Sequence, residues 1–134
     1  YWVGDGGIGI YNPDENQVLI QGEPDVGTYG GQTRFLTMNE VWAGTYHEIV
    51  DRSLHFNFVT NFRCLVLLSD GVTDPIFETE INLNNIDIWH SLWNDMSKTV
   101  DFSARNESTA KALLDWLDFW SPGNHDDRTI VILY

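Results

Sequence analysis

Three scarcities set the first limits. The 134 residues contain one cysteine, Cys64, so no internal disulfide forms and no thiolate cluster is available for zinc. Seven lysines and arginines stand against twenty aspartates and glutamates, and the resulting formal charge of −13 opposes non-specific binding to nucleic acid or to an anionic membrane. No stretch approaches the roughly 18 consecutive apolar residues of a membrane span, and no charged segment leads into an apolar one at the start. What remains is a globular chain, 43% hydrophobic, with core material for one domain or part of one. A hard cation or a cationic protein surface suits its acidity. The chain opens Tyr-Trp-Val-Gly-Asp without an initiator Met, which reads as an internal or processed segment. Cys64 sits among apolar residues and reads as a small buried hydrophobe in a reducing, cytoplasmic setting.

The stretch 64–74, Cys-Leu-Val-Leu-Leu-Ser-Asp-Gly-Val-Thr-Asp, organises the rest. Its apolar run reads as a strand buried on both faces, and it ends abruptly in Asp70 and Asp74. Charge at the end of a core strand is costly unless it meets a cation or a hydrogen-bonding partner.

Along the chain, residues 1–12 split around a glycine-rich bend that holds Asp5, and the spacing predicts strands on either side. The turn at 12–16 and the run Gln17-Val18-Leu19-Ile20-Gln21 predict the next strand of an antiparallel meander. Residues 22–51, with dispersed glycines, read as a long surface loop carrying a short Phe35-Leu36 segment. Residues 54–59 alternate in part and predict a strand, turning at Thr60-Asn61, with His55 on its solvated side. Ile86, Trp89, Leu92, Trp93 and Met96 predict an amphipathic helix over 85–98. Ala110, Leu113, Leu114, Leu117 and Trp120 predict a second over 106–120, stopped by Ser-Pro-Gly. Both aromatic stripes are expected to pack against the sheet.

Near the C-terminus, His125-Asp126-Asp127-Arg128 feeds the β-branched run 129–133, a second buried strand with acids at its mouth. Antiparallel pairing of this strand with the first would bring Asp70 beside Asp126. Such a pair repels unless a divalent cation lies between its members. One further reading of the acids is a single calcium site in a carbohydrate-binding module. The helical spacing of the tryptophans opposes it, because a carbohydrate platform needs aromatics on one exposed face.

The motifs themselves are familiar. Ser69-Asp70-Gly71-Val72-Thr73-Asp74 resembles the Ser-Asp-Gly-x-x-Asp signature of the metal-dependent protein phosphatases, the protein phosphatase 2C family. Asp126-Asp127-Arg128-Thr129-Ile130-Val131 is similar to that family's terminal Asp-Asn-x-Thr-Val-Val motif, and Val3-Gly4-Asp5-Gly6 to its Val-Gly-Asp-Ser motif. All three occur in the family's order. The resemblance covers the second half of the family's fold. It implies an α+β chain that forms part of a four-layer α-β-β-α sandwich with antiparallel sheets, residues 1–134 being the C-terminal portion of a single domain.

The resemblance further implies that Asp70 and Asp126 ligate one metal of a binuclear Mn2+ or Mg2+ centre. Asp74 and Asp5 would hold a third, weaker ion, and Asp127, Ser69 and Gly71 would arrange the hydrogen bonds around the ligands. The implied activity is hydrolysis of phosphoserine or phosphothreonine in a phosphoprotein by a metal-activated water. Asp127 stands where the family pattern has asparagine, and Gly6 where it has serine. The phosphate-binding arginine and the general acid belong to the family's N-terminal half, so no catalytic side chain is expected in this segment, which alone should be inactive. That half, or a kinase-linked partner, is the expected companion. The alternative is a pseudophosphatase or phosphoprotein-binding regulatory module without catalysis.

Overall fold

The computed structural model describes residues 4–24, 34–78, 80–104, 106–119 and 126–134. The strand expected at residues 1–3, most of the glycine-rich loop, Trp120, His125 and the Ser-Pro-Gly stop lie outside the described residues.

Strands β1 (Gly7–Asn12), β2 (Gln17–Gly22), β3 (Cys64–Leu68) and β4 (Ile130–Leu133) form one antiparallel sheet in the order β2-β1-β3-β4. Alternation decides which face of the sheet is covered. Gly9 and Tyr11 of β1, Val66 and Leu68 of β3 and, less completely, Ile20, Ile130 and Ile132 face the helices. On them lie α2 (Asp70–Phe77), α3 (Ile86–Met96) and α4 (Glu107–Leu117). Helix α3 delivers Trp89, Leu92, Trp93 and Met96 to the core, as its periodicity predicts. Trp89 lies directly over β1, where a side chain at Gly9 would collide with its ring, and its indole N–H donates to the Leu83 carbonyl at 2.7 Å. Glycine is needed at position 9 for packing, since only a bare backbone lets so large a ring approach. At the far end of the helical layer Trp93 stacks on Phe102, and Phe102 meets Tyr134 edge-on.

Four expectations need correction. The segment 22–51 is not all loop: a 3₁₀ turn (Asn39–Trp42) leads into α1 (Tyr46–Ser53). Thr45 and Glu48 close a capping box at the start of α1, in which the Thr45 N–H and hydroxyl both donate to the Glu48 carboxylate and the Thr45 Oγ accepts from the Glu48 N–H. Residues 54–59 form no strand. Both edges of β1 and of β3 are already paired, and Phe56 and Phe58 stand in solvent, Phe58 fully exposed. The third correction concerns residues 70–77, which form a helix rather than a strand-end turn, with Pro75 inside it. In α4 the sheet-facing side is centred on Thr109, Leu113 and Leu117, while Leu114 points outward at 67% exposure.

The second face of the sheet is also aliphatic. Leu19, Ile10, Leu65 and Leu133 make one cross-strand row and Ile8, Leu67 and Val131 the next. None belongs to the core, and Val131 and Leu133 are more than half exposed.

Gly9→Ala tests the helical packing. The added methyl collides with Trp89, and overpacking of this kind costs about 1–3 kcal/mol, seen as a lower urea midpoint with an unchanged slope. Wild-type stability in that variant would show that Trp89 does not seat on β1.

Candidate metal centre

Strand β3 ends at Leu68, and Ser69 takes the N-cap position of α2 with extended backbone. Its hydroxyl does not cap the helix. It accepts from the Thr129 N–H at 2.9 Å and donates to the Asp127 carbonyl at 3.2 Å, while the Ser69 N–H donates to the Thr129 carbonyl at 3.0 Å. Ser69 therefore fastens the entry of β4 to the exit of β3. The antiparallel register, with Leu68 opposite Ile130, continues these bonds and puts Asp126 and Asp127 at the mouth of α2.

Two glycines bring the neighbouring backbones in. A side chain at Gly71 would strike the Asp127 carbonyl and come within 3.2 Å of the Asp126 carbonyl. One at Gly6 would strike the Leu68 carbonyl. Hence the Asp5-Gly6 bend, the 69–71 turn and the 126–127 segment touch through backbone at one end of the sheet. Gly7 pairs with Leu68 there, which fixes Asp5 at the same end.

Asp70 and Asp74 lie one helical turn apart, a spacing that puts both on one face of α2. Asp70 is half-buried and its Oδ1 accepts from the Gly71 N–H at 2.7 Å. Asp5 is half-buried, and Asp74, Asp126 and Asp127 are exposed. Asp74 carries the electrostatic signature of the group. Partial burial is the first cause that raises its pKa above the ordinary 3.8, and the negative charges of Asp70, Asp5 and Asp126 raise it further. Asp5, Asp70 and Asp126 therefore lie at the same end of the sheet as Asp74, near enough for their charges to act on it. Among the described residues no three His, Cys, Asp or Glu side chains come close enough together to hold a metal ion. The donor chemistry, carboxylate oxygens alone, fits a hard divalent cation such as Mn2+ or Mg2+.

Other expected features fall elsewhere. Cys64 is fully buried in β3, and burial pushes its thiol up to about 12, which makes it inert at neutral pH. His55 is exposed and lies beside α1, far from a strand register. His90, which no motif marks, bridges two elements: Nδ1 sits 2.6 Å from the Tyr11 hydroxyl and Nε2 3.0 Å from Asn16 Oδ1, tying α3 to the β1–β2 turn.

The raised Asp74 pKa has a measurable sign. The folded chain holds the Asp74 proton more tightly than the unfolded chain does. Its contribution to stability is therefore complete below about pH 3.8 and is lost as pH rises through the folded-state value. Without divalent metal, Asp74→Asn should be more stable than wild type at neutral pH, and the gap should close as pH falls towards the ordinary carboxylate range. Added salt should narrow it, since Asp74 is exposed. Urea titrations across pH check this, and a gap independent of pH would remove Asp74 from the repelling group.

The protein phosphatase 2C family model matches residues 1–118. No curated protein and no solved structure matches the chain. The match spans Asp5, Asp70 and Asp74 and stops before Asp126, whose place at the site rests on strand pairing. With the match covering most of its length, the chain belongs to the protein phosphatase 2C family.

Proposed function

We propose that this chain is the C-terminal portion of a metal-dependent protein serine/threonine phosphatase and contributes half of a binuclear Mn2+ or Mg2+ site. The observation that supports this most is the convergence of Asp5, Asp70, Asp74 and Asp126, registered in the raised pKa of Asp74. A cation at this end of the sheet would offset the negative charges that act on Asp74, and the family membership supplies the reaction class.

In this reading Asp70 and Asp126 hold a principal ion, and Asp74 with Asp5 hold a further, weaker one. Ser69, Gly71 and Asp127 keep the two ligand-bearing segments in register through the bonds and close contacts at the end of β3. The Gly71 N–H orients the Asp70 carboxylate by its bond to Oδ1, leaving the second oxygen for the ion. Bound hard cations lower the pKa of water and offset the charge on a phosphoryl group in flight. The chain's own task is to position them, because no side chain here is assigned as acid, base or nucleophile.

The uncovered aliphatic face supports the larger architecture. Seven aliphatic side chains, from Ile8 to Leu133, lie in two rows opposite the helices. A second antiparallel sheet packed about 10 Å above them would complete an α-β-β-α sandwich, and the N-terminal half of the domain is the proposed source of that sheet. It would also bring the remaining ligands and the groups that bind phosphate.

A non-catalytic phosphoprotein-binding module is the second reading. Asp127 and Gly6, which stand where the family pattern has asparagine and serine, are the observation on its side.

One experiment separates the two readings. The intact domain is assayed for Mn2+-dependent hydrolysis of a phosphothreonine peptide. Asp70→Asn and Asp126→Asn should each lower kcat/KM by more than the roughly 100-fold that loss of an outer hydrogen-bonding partner costs, with the circular-dichroism spectrum unchanged. Phosphopeptide binding without hydrolysis would select the second reading. Full hydrolysis in both variants would sink the site assignment.

A further inference from the structure

We propose that Thr73 is a positioning residue of the metal centre: its buried hydroxyl holds an enclosed water that links Asp74 on α2 to Asp5 at the entry of β1. This rests on the reading of those two acids as ligands of the weaker ion. Thr73 is only 4% exposed, and its Oγ1 is buried with no hydrogen-bond partner among the described residues. Buried hydroxyls are nearly always partnered, because one left bare gives up its hydration and gains nothing in exchange.

The local chain closes the usual way out. A threonine inside a helix commonly bonds back to the carbonyl four residues earlier, which here belongs to Ser69. That oxygen already accepts from the Val72 N–H and the Thr73 N–H, both at 3.0 Å. A carbonyl offers two lone pairs, and both are taken. The Thr73 methyl is committed as well. A Cβ at Gly7 would lie 3.4 Å from it and 3.3 Å from a methyl of the buried Leu83, so both side chains pack against bare α-carbon where β1 begins. Valine would fill the same space. Only the hydroxyl distinguishes threonine there.

Placement connects this hydroxyl to the acids. Thr73 follows Asp70 by three residues and immediately precedes Asp74, so it shares the arc of α2 that carries both. Gly7, which it touches, is two residues from Asp5, and the Asp5 charge acts on Asp74. Thr73 thus lies in the seam between the two segments that bring those carboxylates together. In that seam a water accepts from the Thr73 hydroxyl and donates one hydrogen to each carboxylate. Three bonds are the usual complement of a buried water. The arrangement holds Asp5 and Asp74 in register before an ion arrives and steadies them once it has bound, as hydrogen bonds to the outer atoms of ligands do.

The test uses the intact domain with Thr73→Val, which keeps the shape and drops the hydroxyl, and Thr73→Ser, which keeps the hydroxyl. Mn2+ binding is followed by water-proton relaxation, and urea midpoints are measured without metal. Thr73→Val should bind the weaker Mn2+ ion about tenfold less tightly, the lower end of what loss of an outer hydrogen-bonding partner costs, with the tighter ion unaffected. Thr73→Ser should bind both ions as the wild type does. Without metal, Thr73→Val should show a lower urea midpoint at an unchanged slope. A higher midpoint would reveal a hydroxyl bonded to nothing and overturns the proposal. So does wild-type affinity for the weaker ion in Thr73→Val, and so does an equal loss in Thr73→Ser, which makes shape the cause. If Thr73→Val loses its circular-dichroism spectrum, Thr73→Ser against Thr73→Ala, a pair that again differs only by the hydroxyl, carries both measurements. A wild type that binds no second Mn2+ ion defeats the reading of Asp5 and Asp74 as ligands and takes the positioning role with it, whereas the other adverse results leave that reading intact.

Discussion

The meeting of three separate segments at one end of the sheet is the constraint on which the described structure turns. Asp5, Asp70, Asp74 and Asp126 come from those segments, and the charges of the other three act on Asp74. Backbone holds them. The pairing of β3 with β1 and β4 is backbone, the Ser69 clasp on Asp127 and Thr129 is largely backbone, and the contacts at Gly6 and Gly71 are backbone against bare α-carbon. This division of labour matters chemically. Peptide groups, rather than the acid side chains, hold the three segments in register at this end of the sheet. Tight packing of glycine against carbonyl also explains why Gly71 sits between Asp70 and the rest of α2, where a side chain would force the Asp126 segment away.

The same sheet is built for burial on both faces, yet its described partners lie on one. Trp89 fills the space over Gly9 and carries the helical layer, with Phe77 tilted against it at 5.1 Å between ring centres. The opposite face repeats the aliphatic composition without a helix. A sheet that faces water on one side normally alternates apolar with polar residues. Here β3 reads Cys-Leu-Val-Leu-Leu and β4 Ile-Val-Ile-Leu, apolar at every position. The edge that bears the acids is the edge of this doubly apolar sheet, so whatever covers the second face also roofs the site.

How much of this was legible depended on whether local pattern and tertiary contact agreed. Strands β3 and β4 announced themselves because both faces are apolar, and their antiparallel pairing, with acids at the shared end, followed from the placement of Asp70 and Asp126 on opposite ends of their runs. Helix α3 was legible because its stripe meets the sheet squarely. In α4 the same periodicity pointed one position off, at Ala110 rather than Thr109, and took in Leu114, since the Thr109 hydroxyl closes onto the Asp101 and Ala104 carbonyls and Leu114 is left outside. Helix α2 was hidden by Gly71 and Pro75, residues that argue against a helix. It forms because Val72 and Phe77 bury completely, outweighing the hydrogen bond that Pro75 cannot make. The strand expected at 54–59 had an alternating pattern, but its apolar positions Phe56 and Phe58 bury against nothing and the segment meets β2 only through side chains, Asn57 to Gln21. Helix α1 was missed amid scattered glycines, although the Thr45-x-x-Glu48 box stood in plain sequence and is a stronger signal than any of them.

Helix α1 also changes how the acidity of the chain is to be understood. A chain with a formal charge of −13 repels anionic partners at every point that lacks a compensating cation. The segment joining β2 to β3 brings Arg34, Arg52 and His55 to the same sheet end as the carboxylates, held there by a capped helix rather than by a loose loop. Anionic and cationic groups therefore lie towards one end of the same sheet, where the register of β1 with β2 and β3 places both segments.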